Sequence, residues 1–121
     1  KCIKLFKQLL QEDVNIMIDN TNVTVAHRKE YIDLAKQYGY ICRCIELTTG
    51  GDIDVFRHNT HYRNYKTVGD VSVFKDVVFY TMRKNYAAPV VEEGFVDVTT
   101  IDALSLINKN TIDPDYFLYY Y

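Results

Sequence analysis

Two short segments carry residue types suited to phosphate and hydroxyl chemistry. The first is an apolar run, 15–18, that ends in Asp19, Asn20 and Asn22. Open α/β sheets bind ligands beyond the carboxyl ends of such strands. Asp19 could orient a metal-bound water or hold a cation, and the two asparagines could hydrogen-bond a sugar or a phosphate. Alternatively, these residues only shape a turn and cap the next helix.

The second segment, residues 57–66, contains three basic residues, two histidines and no acidic residue. Guanidinium groups suit phosphate because they donate two parallel hydrogen bonds and keep their charge. On a helix, Arg57 and His61 would lie one turn apart, and Arg63 would fall on another flank. The segment could therefore face a nucleotide or be an ordinary solvated surface, and the residues alone leave both possibilities open.

The elements that must position these segments alternate along the chain. Thr24 is a typical N-cap, and Gly39 lies where a left-handed C-terminal cap is expected. Strands separated by helices are typical of α/β folds with parallel crossovers. Because a parallel sheet needs both faces covered, so few strands suit part of a larger doubly wound domain. The predicted helices are 1–12, 24–38, 52–64, 71–86 and 101–109, and the predicted strands are 15–19, 40–47 and 94–98.

Charge and composition narrow the range of functions. The 121 residues have 14 basic and 16 acidic side chains, which argues against a generally basic nucleic-acid coat. Residues 1–88 hold 13 basic and 10 acidic residues, and residues 89–121 hold 1 and 6, so a polyanion contact is expected in the first part. No apolar stretch reaches the roughly 18 residues that a membrane span needs. Three cysteines are too few for a secreted disulfide framework, which favours buried structural thiols and an intracellular location, nuclear or cytoplasmic.

Three ordered blocks within residues 2–98 carry a family resemblance. The first is residues 18–22, with Arg28 and Tyr31 on the following helix and then Arg43 and Cys44. The second is 57–59 with 62–63, and the third is 80–84 followed by 88–89 and 93–95. Together they resemble the kinase domain of polynucleotide kinase 3'-phosphatases, which are P-loop polynucleotide 5'-hydroxyl kinases.

The resemblance implies transfer of the γ-phosphoryl group of ATP, with Mg²⁺, to 5'-hydroxyl ends of DNA or RNA, as in nucleic-acid end repair. It implies that Arg63 is the arginine of a lid over the triphosphate, with Arg57 as the second candidate. Asp19 would act at the acceptor side of the cleft. The remaining implied contacts are Asn20, Asn22 and Arg28 with nucleic acid, Pro89 with adenine, and a structural role for residues 93–95.

The phosphate-binding motif G-x-x-x-x-G-K-[ST] does not occur in the 121 residues, since the adjacent glycines Gly50 and Gly51 precede no lysine. We therefore expect a partial P-loop kinase that lacks its N-terminal strands and is inactive alone. Residues 1–121 would be the C-terminal portion of the kinase domain, with 99–121 as an extension, and the missing N-terminal half would be a partner.

Two other functions fit the same residues. One is a non-catalytic remnant that binds nucleic-acid ends, and the other is a P-loop kinase that acts on a small molecule. The aromatic tail, 116–121, is expected to pack on the protein and not to stack on bases.

Overall fold

The computed structural model describes residues 2–50, 52–69, 75–106 and 116. Two strands, β1 (Arg43–Thr48) and β2 (Asp97–Asp102), form a two-stranded parallel sheet, which confirms the predicted α/β class and the parallel pairing. Of the described helices, none is long and apolar enough to cross a membrane. In chain order the elements are α1 (Cys2–Leu9), α2 (Val25–Gln37), β1 (Arg43–Thr48), α3 (Ile53–Val68), α4 (Asp76–Asn85), a 3₁₀ turn (Val91–Glu93), β2 (Asp97–Asp102) and a second 3₁₀ turn (Ala103–Leu106).

The chain divides into two compact units, of which the first comprises residues 1–46 and 86–99. Its core forms where the apolar stripe of α1 meets α2. Phe6 and Leu10 pack with Ala35, and the ring of Phe6 meets Tyr31 edge-on with centroids 5.3 Å apart. Partly buried residues complete this core: Ile16, Ile18, Leu34, Tyr40 and Cys42.

The second unit comprises residues 47–85 and 100–121. Helix α4 buries Phe79, whose ring meets Phe56 of α3 at 5.6 Å and His61 at 5.8 Å, both edge-on. Tyr116 lies against α3, since its ring is 4.4 Å from His58. For Tyr116, packing on the protein is what the structure shows; the rest of the aromatic tail lies outside the described residues.

Capping residues define the ends of both long helices. Those of α2 are the residues that the sequence predicts, whereas α3 continues past its predicted end at 64 to Val68. The Thr24 hydroxyl accepts from the His27 amide at 3.2 Å, and Gly39 follows α2 with φ 78°. At α3, the Asp52 carboxylate accepts from the Asp54 amide at 2.8 Å, and Gly69 closes the helix with φ 72°. Both glycines hold the left-handed conformation that non-glycine residues avoid.

Several predicted elements differ from the structure. The strand predicted for 94–98 lies at Asp97–Asp102, and the helix predicted for 52–64 continues to Val68. Residues 15–19 form no strand: Ile16 and Ile18 turn toward the core and Met17 is exposed, but this extended segment has no hydrogen-bonded neighbour among the described residues. The helix predicted for 101–109 is wrong at its start, because 101–102 end β2 and a 3₁₀ turn follows; 107–109 lie outside the described residues. Likewise α4 begins at 76, and 71–74 are not among the described residues.

The cysteines are all free, and burial raises the pKa of the Cys42 and Cys44 thiols, which are half-buried. Cys2 is exposed, so the expectation of three buried thiols is wrong there. Cys2 lies in the first turn of α1, and the buried residue of this helix is Phe6.

Candidate functional site

Arg28 of α2 is buried although it is charged. It pairs with Glu93, and each side chain is only 6% exposed. The Arg28 Nε donates to Oε2 of Glu93 at 2.8 Å, and Nη2 donates to Oε1 at 2.7 Å. This two-bond arrangement is the strong form of the contact, because the planar guanidinium matches both carboxylate oxygens. The pair fastens α2 to the Val91–Glu93 turn.

The other nitrogen of the same guanidinium holds two backbone carbonyls. Nη1 of Arg28 donates to the carbonyl of Asn22 at 3.0 Å and to that of Ala87 at 2.8 Å. With the two bonds to Glu93, four of the five N–H donors of the side chain are used. The Ala87 amide also donates to the carbonyl of Val23 at 3.0 Å. Residues 22–23 and residue 87 therefore lie side by side.

The pair shifts the ionisation of both partners toward their charged forms. The hydrogen bonds from Arg28 hold the pKa of Glu93 below its usual value, and the Val90 amide, which donates to Oε1 at 3.1 Å, acts in the same direction. The hydrogen bond to Glu93 raises the pKa of Arg28. Desolvation opposes both shifts and is outweighed. The pair is thus ionised at neutral pH.

The loop after the extended segment presents one carboxylate to solvent. Asp19 is exposed, as is Asn20, whose Oδ1 accepts from the Thr21 amide at 2.8 Å. Asn22 has φ 40°, in the left-handed region, and its buried Oδ1 has no hydrogen-bond partner among the described residues. Asparagine tolerates this backbone conformation better than most residues. The asparagines of the loop fit the interpretation that these residues shape a turn. The exposed carboxylate fits the interpretation that the loop binds a ligand.

Pro89 is half-buried and follows directly on the segment held by Arg28. It belongs to the same compact unit as Asp19, Asn20 and Asn22. The Ala87 amide donates to the carbonyl of Val23, the residue that follows the 19–22 loop. The structure thus brings one end of the 87–89 segment next to this loop.

Arg57 and Arg63 both lie on α3, in the other unit, and differ in their surroundings. Arg57 is 22% exposed and forms ion pairs with Asp54 at 3.2 Å and Asp76 at 3.6 Å. Arg63 is exposed, and among the described residues its guanidinium forms no ion pair and no hydrogen bond to a side chain. The guanidinium of Arg63 is therefore open to a ligand, whereas that of Arg57 is held between two carboxylates.

One face of α3 is polar and buried. Along it, at intervals of four and three residues, Nε of Arg57, Nε2 of His61 and Nδ2 of Asn64 have no hydrogen-bond partner within the described part of the chain. Buried polar groups are usually hydrogen-bonded, so these three atoms are exceptions to that rule. Across the described ranges, no three histidine, cysteine or acidic side chains gather to hold a metal ion.

Comparison with known proteins identifies the family. The profile of the AAA domain family matches residues 2–89. The chain belongs to this AAA domain family. Within it, the chain is a polynucleotide-kinase-like P-loop domain, and the resemblance inferred from the sequence is confirmed.

Two curated relatives of this AAA domain carry matching names. The chain is 32% identical over 105 residues to the "Bifunctional polynucleotide phosphatase/kinase" of Schizosaccharomyces pombe. It is 30% identical over 102 residues to the "Putative bifunctional polynucleotide phosphatase/kinase" of Acanthamoeba polyphaga mimivirus. Each match covers 84% of this chain and 24% of the relative, so the chain spans about a quarter of the length of these proteins.

The connection that sequence reasoning missed in this AAA domain is the Arg28–Glu93 pair. We expected Arg28 on nucleic acid and a structural role for Glu93, but Arg28 is buried and bonded to the protein itself. We therefore leave Arg28 out of the proposed nucleic-acid contacts. Residues 65 positions apart share no spacing signal, so no local pattern in the sequence could have found this pair.

Proposed function

We propose that this chain is part of an ATP-dependent polynucleotide 5'-hydroxyl kinase. The observation that supports this most is the match of 84% of the chain to two proteins whose names combine polynucleotide phosphatase and kinase. Family membership fits the kinase part, since 2–89 match an AAA domain. The substrate would be a 5'-hydroxyl end of DNA or RNA, and the setting would be nucleic-acid end repair inside the cell.

We assign the triphosphate lid to Arg63. Its exposed guanidinium, without a side-chain partner among the described residues, fits an incoming polyphosphate. ATP would supply the γ-phosphoryl group, and Arg63 would stabilise the charge that spreads over the transferring oxygens. Arg57 is the weaker candidate because Asp54 and Asp76 already neutralise it.

The acceptor side would be formed by the 19–22 loop. Asp19 offers an exposed carboxylate that could orient the 5'-hydroxyl. The exposed Asn20 and the neighbouring Asn22 would bind the nucleic-acid end through their amides. Pro89 would border the adenine.

We propose that the phosphate loop and the Mg²⁺ ligands come from a polypeptide segment that these 121 residues do not contain, because G-x-x-x-x-G-K-[ST] is absent from them. In that arrangement 1–121 are the C-terminal portion of the kinase domain. The segment ending at Asp19 has no strand partner among the described residues, and Met17 in it is 90% exposed, so it would pair with a strand of the missing half. This segment would complete a doubly wound parallel sheet.

A second function, binding of nucleic-acid ends without catalysis, is favoured by the same missing motif. The exposed side chains of Arg63 and Lys66 on α3 could hold a polyanion without a bound nucleotide. Such binding would weaken as salt concentration rises, because each phosphate contact releases counterions.

The test is transfer of labelled γ-phosphate from ATP by the natural polypeptide that contains these residues. Oligonucleotides with 5'-hydroxyl ends and small alcohols are offered in parallel. We expect labelled oligonucleotide only, and Arg63→Ala should lower kcat by about 10²- to 10³-fold. Lys75→Ala, which removes another exposed charge of the same unit, should leave the rate unchanged.

Three outcomes would decide among the alternatives. An unchanged rate in Arg63→Ala would contradict the lid assignment. Salt-sensitive oligonucleotide binding without transfer would favour the end-binding module. Labelled alcohols in place of labelled oligonucleotide would favour a small-molecule kinase.

A further inference from the structure

We propose that Arg28 is a positioning residue that holds the 19–22 loop and the 87–89 segment in one fixed arrangement. It touches neither substrate in this proposal. The inference rests on the proposed function, which assigns the acceptor to the first segment and adenine to the second. One buried guanidinium then sets the binding geometry for both substrates.

The loop side needs such support. Asn22 has φ 40°, a conformation that side chains disfavour, and it lies outside the described helices and strands. Its carbonyl is fixed by Nη1 of Arg28 at 3.0 Å, and the next carbonyl, that of Val23, accepts from the Ala87 amide. Without the buried Arg28 side chain, the Asn22 carbonyl in this strained turn loses its charged hydrogen-bond donor.

The other side is equally dependent on the pair. Residues 86–90 lie between α4 and the 3₁₀ turn and belong to no regular element, and Pro89 has no N–H to donate. The segment is held at Ala87 by Arg28 and by the bond to Val23. It is held at Val90 by Glu93, whose Oε1 accepts from the amide at 3.1 Å.

Arginine is the side chain that can make all these contacts together. Nε and Nη2 face the carboxylate while Nη1 faces the two carbonyls, so the planar group spans three chain segments. A lysine ammonium is a point charge and cannot reproduce this fork. The substitution Arg28→Lys therefore keeps the charge and removes the geometry.

Amide hydrogen exchange tests the arrangement without any substrate. In the full chain, Arg28→Lys and Arg28→Met should speed exchange of the Ala87 and Val90 amides by at least about tenfold, because local opening becomes easier. The control is Phe6→Leu, a core change in the same unit outside these contacts, compared at equal distance below its Tm. Unchanged protection of Ala87 and Val90 in both Arg28 variants would overturn the proposal.

Kinetics of the natural polypeptide that contains these residues test whether Arg28 positions the two substrate-binding segments. A merely structural role would reduce the amount of folded enzyme and lower kcat alone, as Phe6→Leu should. A positioning role should raise the KM for ATP and the KM for the oligonucleotide together, by about tenfold in Arg28→Met and less in Arg28→Lys. A fall in kcat with both KM values unchanged would refute positioning.

The two proposals fail separately. If the natural polypeptide that contains these residues transfers no phosphate to oligonucleotides, the proposed function is contradicted. The exchange of the Ala87 and Val90 amides would then decide on its own whether Arg28 fixes the two segments.

Discussion

Arg28 and Glu93 meet through two hydrogen bonds of 2.8 and 2.7 Å although 65 residues separate them. Both side chains are nearly withdrawn from solvent. Since a buried charge without its partner is costly, each member of the pair depends on the other more than on any apolar neighbour. The first unit is thus stabilised by a buried ion pair as well as by the apolar core around Phe6.

Breaking this pair should destabilise the protein strongly. Arg28→Met leaves the Glu93 carboxylate buried without its main donor, which should lower the free energy of unfolding by about 3–5 kcal/mol. The matched control is Lys29→Met on the same helix, which removes the exposed pair with Asp33 and should cost about 0.5 kcal/mol. Urea titration measures both. Equal losses in the two variants would show that the buried pair contributes no more than a surface pair.

The double variant Arg28→Met with Glu93→Leu should lose less unfolding free energy than the two single variants together. In the double variant neither substitution leaves a buried charge behind. Strict additivity in this cycle would contradict the coupling between the two side chains.

Acid should weaken the same contact. The native pKa of Glu93 lies below its ordinary value of 4.5, so the pair contributes fully above that value and progressively less as pH falls toward the native pKa. The raised pKa of Arg28 acts only at strongly alkaline pH, where its contribution would be lost as pH rises through the native value. Stability measured from pH 6 to pH 3 should therefore fall less steeply in Glu93→Gln than in the wild type. Parallel curves would speak against this pH dependence.

Local sequence signals predicted the helices better than the sheet. Thr24 and Gly39 mark the two ends of α2 through a hydrogen bond and a dihedral angle that involve only neighbouring residues. Their residue types were therefore sufficient to predict both ends of the helix. The strand predicted at 15–19 needs a hydrogen-bonded partner, and no pattern within the segment reports one. The position of β2 shifted because the Val91–Glu93 turn brings Glu93 to Arg28 before the strand begins.

The candidate site divides in the same way. Residue types made Asp19 and Arg63 candidates for the site, and the structure shows both side chains exposed, which is the usual state of such residues. They could not separate Arg63 from Arg57, because the difference is made by Asp76 on another helix. The buried role of Arg28 likewise depends on a distant turn.

A single tyrosine of the aromatic tail offers a test of packing on α3. Tyr116 donates its hydroxyl to Oδ1 of Asn59, and its ring meets His58 and Tyr62 edge-on. Tyr116→Phe should cost about 0.5–1.5 kcal/mol of unfolding free energy through the lost hydrogen bond. Because Tyr116 is only half-buried, Tyr116→Ala should cost less than the about 3–5 kcal/mol of a fully buried aromatic residue, but more than Tyr116→Phe. A stability unaffected by either substitution would show that Tyr116 does not pack on α3 in solution.

Two glycines with similar backbone constraints should respond differently to alanine. Gly39 and Gly94 both have positive φ, 78° and 119°, so each substitution strains the backbone by about 1–2 kcal/mol. A Cβ at Gly39 meets no described atom within 4 Å, whereas at Gly94 it would meet Nζ of Lys36 and lie 3.0 Å from Cγ2 of Ile32. The lysine end can move away, but the buried isoleucine is held by the packing of α2. Gly94→Ala should therefore lose about 1–3 kcal/mol more unfolding free energy than Gly39→Ala in urea titration, as overpacked sites do.

Because this crowding lies next to Glu93, the Val90 amide should also exchange faster in Gly94→Ala and not in Gly39→Ala. Identical behaviour of the two variants would show that the turn does not press against α2.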